Sequence, residues 1–254
     1  MLPKVHELLV FVAALIAGGI NSIAGGGSLV CFPALIWLGV PSITANATST
    51  VAMWPGTAAS VWGYRRELRG ADPRVYALIL PSVIGGITGA VLLYRTPAAV
   101  FDRLVPVLIL FATCLFMVQE PLQRRFNLSV AHAARSHWLS WTMVFQLAVG
   151  LYGGYFGAGI GILMLAALSL MGHTDIHQMN GIKALLGTCI NVVASVYFVF
   201  AGLVFWPDAL VMAAGAVVGG VSGAGIAQRI GRDAVRRLVV VVGFVMALSL
   251  MLRL

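Results

Sequence analysis

The chain has 254 residues, 60% of them hydrophobic and only 9% charged, with a net charge of +8. A soluble domain usually carries about 25% charged residues, and no stretch here is long or polar enough to form a separate one. A nucleic-acid role is excluded as well, because there is no soluble face on which basic residues could gather.

Apolar runs of about 20 residues recur along the chain, the length needed to cross a bilayer's hydrocarbon core. The composition therefore predicts an all-α polytopic membrane protein. Residues 8–20 are apolar, Gly25-Gly26-Gly27-Ser28 interrupts, and 28–38 is apolar again. Pieces of 11 to 15 residues span roughly 16–22 Å at ~1.5 Å per residue. This leaves two readings, a pair of half-helices meeting inside the membrane or one kinked span followed by a re-entrant piece. Glycine makes the break sterically cheap and Pro33 removes a backbone donor. The N-terminal 24 residues resemble a signal peptide in outline, but removing them would leave this interrupted element incomplete.

Residues 44–64 form the next apolar segment, ending in the aromatic run Trp62-Gly63-Tyr64 that suits a membrane interface. A charged loop at 65–74 leads to a span at 75–94, where Gly85, Gly86 and Gly89 predict close helix approach. A loop runs from Arg95 to Arg103, followed by a span at 104–118. The stretch 119–140 is the most polar part of the chain and reads as a cytoplasmic linker.

The second half repeats the order. Short apolar pieces at 141–152 and 158–171 surround the cluster Gly153-Gly154-Tyr155-Phe156-Gly157-Ala158-Gly159-Ile160-Gly161. Spans follow at 178–201, 208–227 and 238–252, with a basic loop at 229–237. The chain thus divides into a first repeat (1–118), the linker (119–140) and a second repeat (141–254). Each repeat is a broken or re-entrant helical hairpin plus three transmembrane helices. Glycine-rich faces at 215–225 either pack internally or form a homodimer contact.

Placing the basic segments 65–74, 119–138 and 229–237 in the cytoplasm gathers eleven of the sixteen Lys and Arg there. Each broken element must then enter and leave on one face, so the two halves have inverted topologies, a plan common among secondary transporters.

The spans contain almost no ionisable groups. Lys183 is the exception, and a lysine near the bilayer's centre costs at least ~2.5–3.5 kcal/mol on insertion scales. It either snorkels to the interface or works with Asn180, one helical turn before it. Glu7, Asp175 and Asp208 all lie near the ends of segments, which argues against a carboxylate-ringed cation path. An anionic guest fits better. Half-helices opening at Ser28 and near Gly161 would aim backbone N–H groups and a helix dipole at it. Gly25, Gly26, Gly27, Ser28, Asn46, Thr48, Ser49, Gly157, Gly159, Gly161, Asn180 and Lys183 form the candidate substrate site. For Asn46, Thr48 and Ser49 the competing role is capping and helix–helix hydrogen bonding.

Nothing resembles a nucleophile–base pair, an H-E-x-x-H helix or a phosphate loop, so an enzyme is not expected. No cofactor is implied. His173-x-Asp175-x-His177 has weak spacing for metal, and none is assigned. Cys31, Cys114 and Cys189 stand alone in apolar surroundings, without CxxC spacing.

The motifs GGGSLVCFPAL and GVPSITANATS, with GGYFGAGIGILMLAALSLMG, Asp175-Ile176 and Asn180-x-x-Lys183, resemble the sulfite exporter family TauE/SafE over essentially the whole chain. Gly181 departs from that family's usual asparagine-alanine pair. The resemblance implies a multi-pass bacterial inner-membrane transporter that exports small sulfur-containing anions such as sulfite or organosulfonates. It assigns the site to the residues named above. An anion channel using the same donors is the alternative, and an assembly partner with no transport of its own is a third option.

Overall fold

The computed structural model describes residues 3–24, 26–126, 138–170, 175–230 and 232–252. All regular structure among them is helical. The helices are α1 (Pro3–Ala24), α2 (Ser28–Trp37), α3 (Ser42–Gly63), the short α4 (Arg65–Arg69), a 3-10 turn (Pro73–Leu78), α5 (Ile79–Arg95) and α6 (Ala98–Phe126). After them come α7 (Trp138–Tyr155), α8 (Ile160–Leu170), α9 (Ile176–Phe200), α10 (Trp206–Ile230) and α11 (Arg232–Met251).

By length and apolarity, four described stretches can each cross a membrane: Lys4–Asn21, Pro73–Arg95, Ala98–Leu115 and His177–Phe200. The outer surface is correspondingly apolar. Leu8, Leu80, Val107, Leu210 and Leu248 are each more than half exposed, an arrangement that water would penalise and lipid tails accommodate. Trp62, Trp141 and Trp206 are also exposed, as side chains of an aromatic belt would be.

The interrupted elements are less symmetric than their sequence suggests. The 22-residue α1 is about 33 Å long at ~1.5 Å per residue, whereas α2 has only 10 residues. The first break is therefore a long helix followed by a short one, not a pair of half-helices. Likewise α7 has 18 residues and α8 has 11. The helices also extend into the expected linkers. α6 continues to Phe126 and α7 begins at Trp138, while 127–137 lies outside the described residues. The basic segment 229–237 is mostly helical, split between α10 and α11.

Glycine sets the two most extensive helix contacts, α1 on α10 and α7 on α5. A Cβ at Gly219 would strike the Leu15 backbone, and one at Gly215 the Phe11 carbonyl. In the other pair, a Cβ at Gly89 would strike the Leu151 carbonyl, and one at Gly85 the Leu147 carbonyl. The two interfaces share one arrangement: a glycine pair four residues apart on one helix, set against backbone four residues apart on its partner. This is the small-x-x-x-small packing that holds helices together where lipid removes the hydrophobic driving force. The 215–225 face thus packs internally at Gly215 and Gly219. Because His6 meets Asp208 while Leu15 meets Gly219, α1 and α10 run in the same direction. Ser82 meets Gln146 while Gly89 meets Leu151, so α5 and α7 do so too.

At the centre, α3 and α9 run in opposite directions. Thr48, early in α3, accepts a hydrogen bond from the Phe205 N–H beyond the end of α9 (3.0 Å). Tyr64, just past α3, packs on Gly181 near the start of α9. Asp175 caps α9 by accepting from the His177 N–H at 2.9 Å and the Gln178 N–H at 3.4 Å, which satisfies two of the helix's orphan donors.

Candidate functional site

Between α3 and α9, closed by the chain breaks of both interrupted elements, lies a cavity of about 70 Å³. A buried water needs ~10–15 Å³ of such space, so there is room for a small polyatomic ion. One face of α9 contributes Asn180, Lys183, Ala184, Gly187 and Asn191. Spacings of three and four residues keep all of them on one side of the helix. The facing stripe is Met53, Thr57 and Ser60 of α3 with Tyr64 just past its end, again at helical spacing.

The two breaks complete the wall. Asn21 comes from the end of α1 and Ser28 from the first position of α2; Gly157, Ile160 and Gly161 come from the α7–α8 junction. Gly157 and Gly159 adopt φ of +78° and +79°, left-handed values that cost other residues roughly 1–2 kcal/mol. Gly157 ends α7 by donating to the Tyr152 carbonyl (3.2 Å), and the Tyr152 hydroxyl donates across the break to the Ala158 carbonyl (2.7 Å). In the first half, a Cβ at Gly27 would strike the Ala17 carbonyl, so glycine there lets α2 fold back against α1.

The charged group of the cavity is the Lys183 ammonium. It donates to Asn180 Oδ1 at 2.9 Å, and no carboxylate lies among the lining residues. An ammonium has three donors, so this one keeps capacity for a guest. The first turns of α2 and α8 open onto the same space, where the positive ends of helix dipoles favour negative charge.

Of the residues singled out from sequence, Ser28, Gly157, Gly161, Asn180 and Lys183 line the cavity. Gly25 lies outside the described residues. Gly26, Gly27 and Gly159 shape the backbone of the breaks without lining the cavity. Asn46, Thr48 and Ser49 lie elsewhere, because the polar atoms on that face of α3 are taken up by packing. Asn46 Nδ2 donates to the Tyr155 carbonyl at 3.0 Å, Thr48 accepts from Phe205, and the Ser49 hydroxyl donates to the Asn46 carbonyl at 3.0 Å.

Sequence reasoning missed Asn21, Thr57, Ser60, Tyr64 and Asn191. The signal for Asn191 was present, since it lies eight residues after Lys183 in an apolar run and so on the same helical face. A second cavity of about 10 Å³ shares Asn21, Met53 and Ser60 with the first and extends towards Ala216 and Gly220 on α10.

An all-helical, lipid-faced bundle whose interrupted helices enclose a polar interior space belongs to the class of multi-pass membrane transporters. More particularly, the chain belongs to the sulfite exporter TauE/SafE family, whose family model matches residues 10–250. A "probable membrane transporter protein" of Haemophilus influenzae is 28% identical, over 94% of this chain and 91% of its own length. The "probable membrane transporter protein YfcA" of Escherichia coli K12 is 25% identical, over 96% and 88%. A "probable membrane transporter protein ORF9" of Sinorhizobium is 28% identical, over 95% and 90%. No solved structure gives a significant match. The chain is thus a multi-pass bacterial inner-membrane protein whose family is named a sulfite exporter and whose relatives are named probable membrane transporters.

Proposed function

We propose that this transporter exports a small sulfur-containing anion, sulfite or an organosulfonate, by alternating access between two inverted halves. The observation that carries the reading is the Lys183 ammonium, held by Asn180 in a cavity onto which two helix N-termini open and which no carboxylate lines. Such a site attracts an oxyanion through charge, hydrogen bonds and dipole together.

The exchanged glycine contacts, α1 on α10 and α7 on α5, support the inverted halves, as does the opposed run of α3 and α9. With Arg65, Arg66, Arg69 and Arg74 in the cytoplasm, the Tyr64 and Asn180 end of the cavity faces inward. The opposite end of α3 is fastened by Asn46 to Tyr155 and by Thr48 to Phe205. A fastened end favours a carrier over a continuously conducting channel. A membrane potential of ~100 mV, negative inside, favours efflux of one negative charge by about 2.3 kcal/mol.

The test is flux of sulfite and of organosulfonates from proteoliposomes. Slow, saturable efflux that falls at least tenfold in Lys183→Ala supports the proposal. Flux unchanged by that substitution overturns the site, and unitary currents in bilayer recordings overturn the carrier reading.

A further inference from the structure

We infer that the cavity selects its guest by charge count, taking singly charged oxyanions such as hydrogensulfite or a monosulfonate and rejecting dianions, fully deprotonated sulfite included. The inference rests on the cavity being the transport site proposed above.

The wall carries one full positive charge, Lys183 on α9, flanked by the neutral amides of Asn180 and Asn191. Opposite them, α8 offers Ile160 and Met164, and α3 offers Met53, none of which can compensate charge. The hydroxyls and amides elsewhere on the wall supply dipoles, which orient and solvate an oxyanion without neutralising it.

A single negative guest beside a single ammonium leaves the enclosed space neutral overall. A second negative charge would remain uncompensated in a low-dielectric interior, the situation buried ion pairs must avoid. The neighbouring α4 adds no charge to the wall. Glu67 sits on α4, which packs against α9, and lies outside the cavity wall. Its Oε2 is buried and, among the described residues, has no hydrogen-bond partner. Arg65, Arg66 and Arg69 of the same helix are exposed and also lie outside the cavity wall, so Lys183 stays the one full charge on that wall.

The experiment uses the full-length protein in proteoliposomes and compares ethanesulfonate with ethane-1,2-disulfonate, which differ by one sulfonate on the same two-carbon stem. Wild-type flux is expected to favour ethanesulfonate at least tenfold. Asn191→Lys adds a second cation to the same face of α9 and is expected to reduce that preference at least tenfold. If this variant does not fold, Asn21→Lys makes the same test from α1. A disulfonate flux equal to that of ethanesulfonate in the wild type overturns the charge rule and leaves the transport reading intact. A preference unchanged in a folded second-lysine variant also overturns it. If neither anion nor sulfite leaves faster than from protein-free liposomes, the transport reading fails and the charge rule with it.

Discussion

Asn46 Nδ2 donates to the backbone carbonyl of Tyr155 across 3.0 Å, joining the early part of α3 to the last residue of α7. The donor comes from the first half of the chain and the acceptor from the second, 109 residues away, at the lip of the chain break. The asparagine is 2% exposed. Asn46→Ala leaves a buried carbonyl without this partner, and hydrogen bonds between membrane helices are worth ~0.6–2 kcal/mol. The expected result is lower thermal stability in detergent, with weakened but detectable anion flux. Complete loss of binding in a folded Asn46→Ala protein would instead make this residue a substrate ligand.

Gly89 and Gly219 occupy matching places in the α5–α7 and α1–α10 contacts, each directly over a leucine carbonyl. A valine at either position forces the backbones apart, and overpacking costs ~1–3 kcal/mol or more. Gly89→Val and Gly219→Val should each reduce the yield of monodisperse protein by a similar factor. Gly63, where an added methyl would meet no atom within 4 Å, should accept alanine. Size-exclusion chromatography of the purified variants checks both outcomes.

Gly187 separates folding from transport. It lines the cavity, and a Cβ there meets nothing within 4 Å. Alanine is ~1 kcal/mol better than glycine inside a helix, so Gly187→Ala should be at least as stable as the wild type. The added methyl projects into a space of about 70 Å³ and should raise KM for the carried anion. Gly187→Leu should abolish flux in a protein that still folds.

Gly157 tests the break itself. Its φ of +78° makes alanine strained by ~1–2 kcal/mol, and the same residue lines the cavity. Gly157→Ala should therefore lower both stability and flux. Gly157→Asn, which tolerates the left-handed region better, should recover part of the stability. Thermal unfolding in detergent, read alongside flux, distinguishes the two effects.

The His6 ring nitrogen lies 2.9 Å from Asp208 Oδ1 where α1 meets α10. Asp208 is 2% exposed, and its Oδ2 has no partner among the described residues. Removing the imidazole strands the carboxylate, which costs ~1–3 kcal/mol for an unsatisfied buried group. His6→Ala should destabilise the protein, and His6→Ala with Asp208→Ala should do so by less than the sum of the two single changes. A double-mutant cycle on thermal stability measures the coupling.

Sequence alone determined the solvent of this protein and the address of its unusual groups. Unbroken apolar runs of this length specify helix inside lipid, because every N–H and C=O must be satisfied there and barrel strands would alternate apolar with polar residues. The cost of burying an ammonium marks Lys183 as exceptional from composition and position alone. Tertiary structure decided which polar side chains face one another. Asn46 and Asn180 read alike in sequence, each the asparagine of a motif after a chain break, yet one fastens α3 to Tyr155 and the other holds the cavity lysine. The reason is geometric: a side chain's partner is fixed by the rotation of its helix and by the neighbour that glycine allows to approach, and neither is encoded in local spacing. The helix that meets α3 across the cavity lies more than 100 residues away in the chain, so Thr57, Ser60 and Asn191 acquire a common purpose only when the bundle closes.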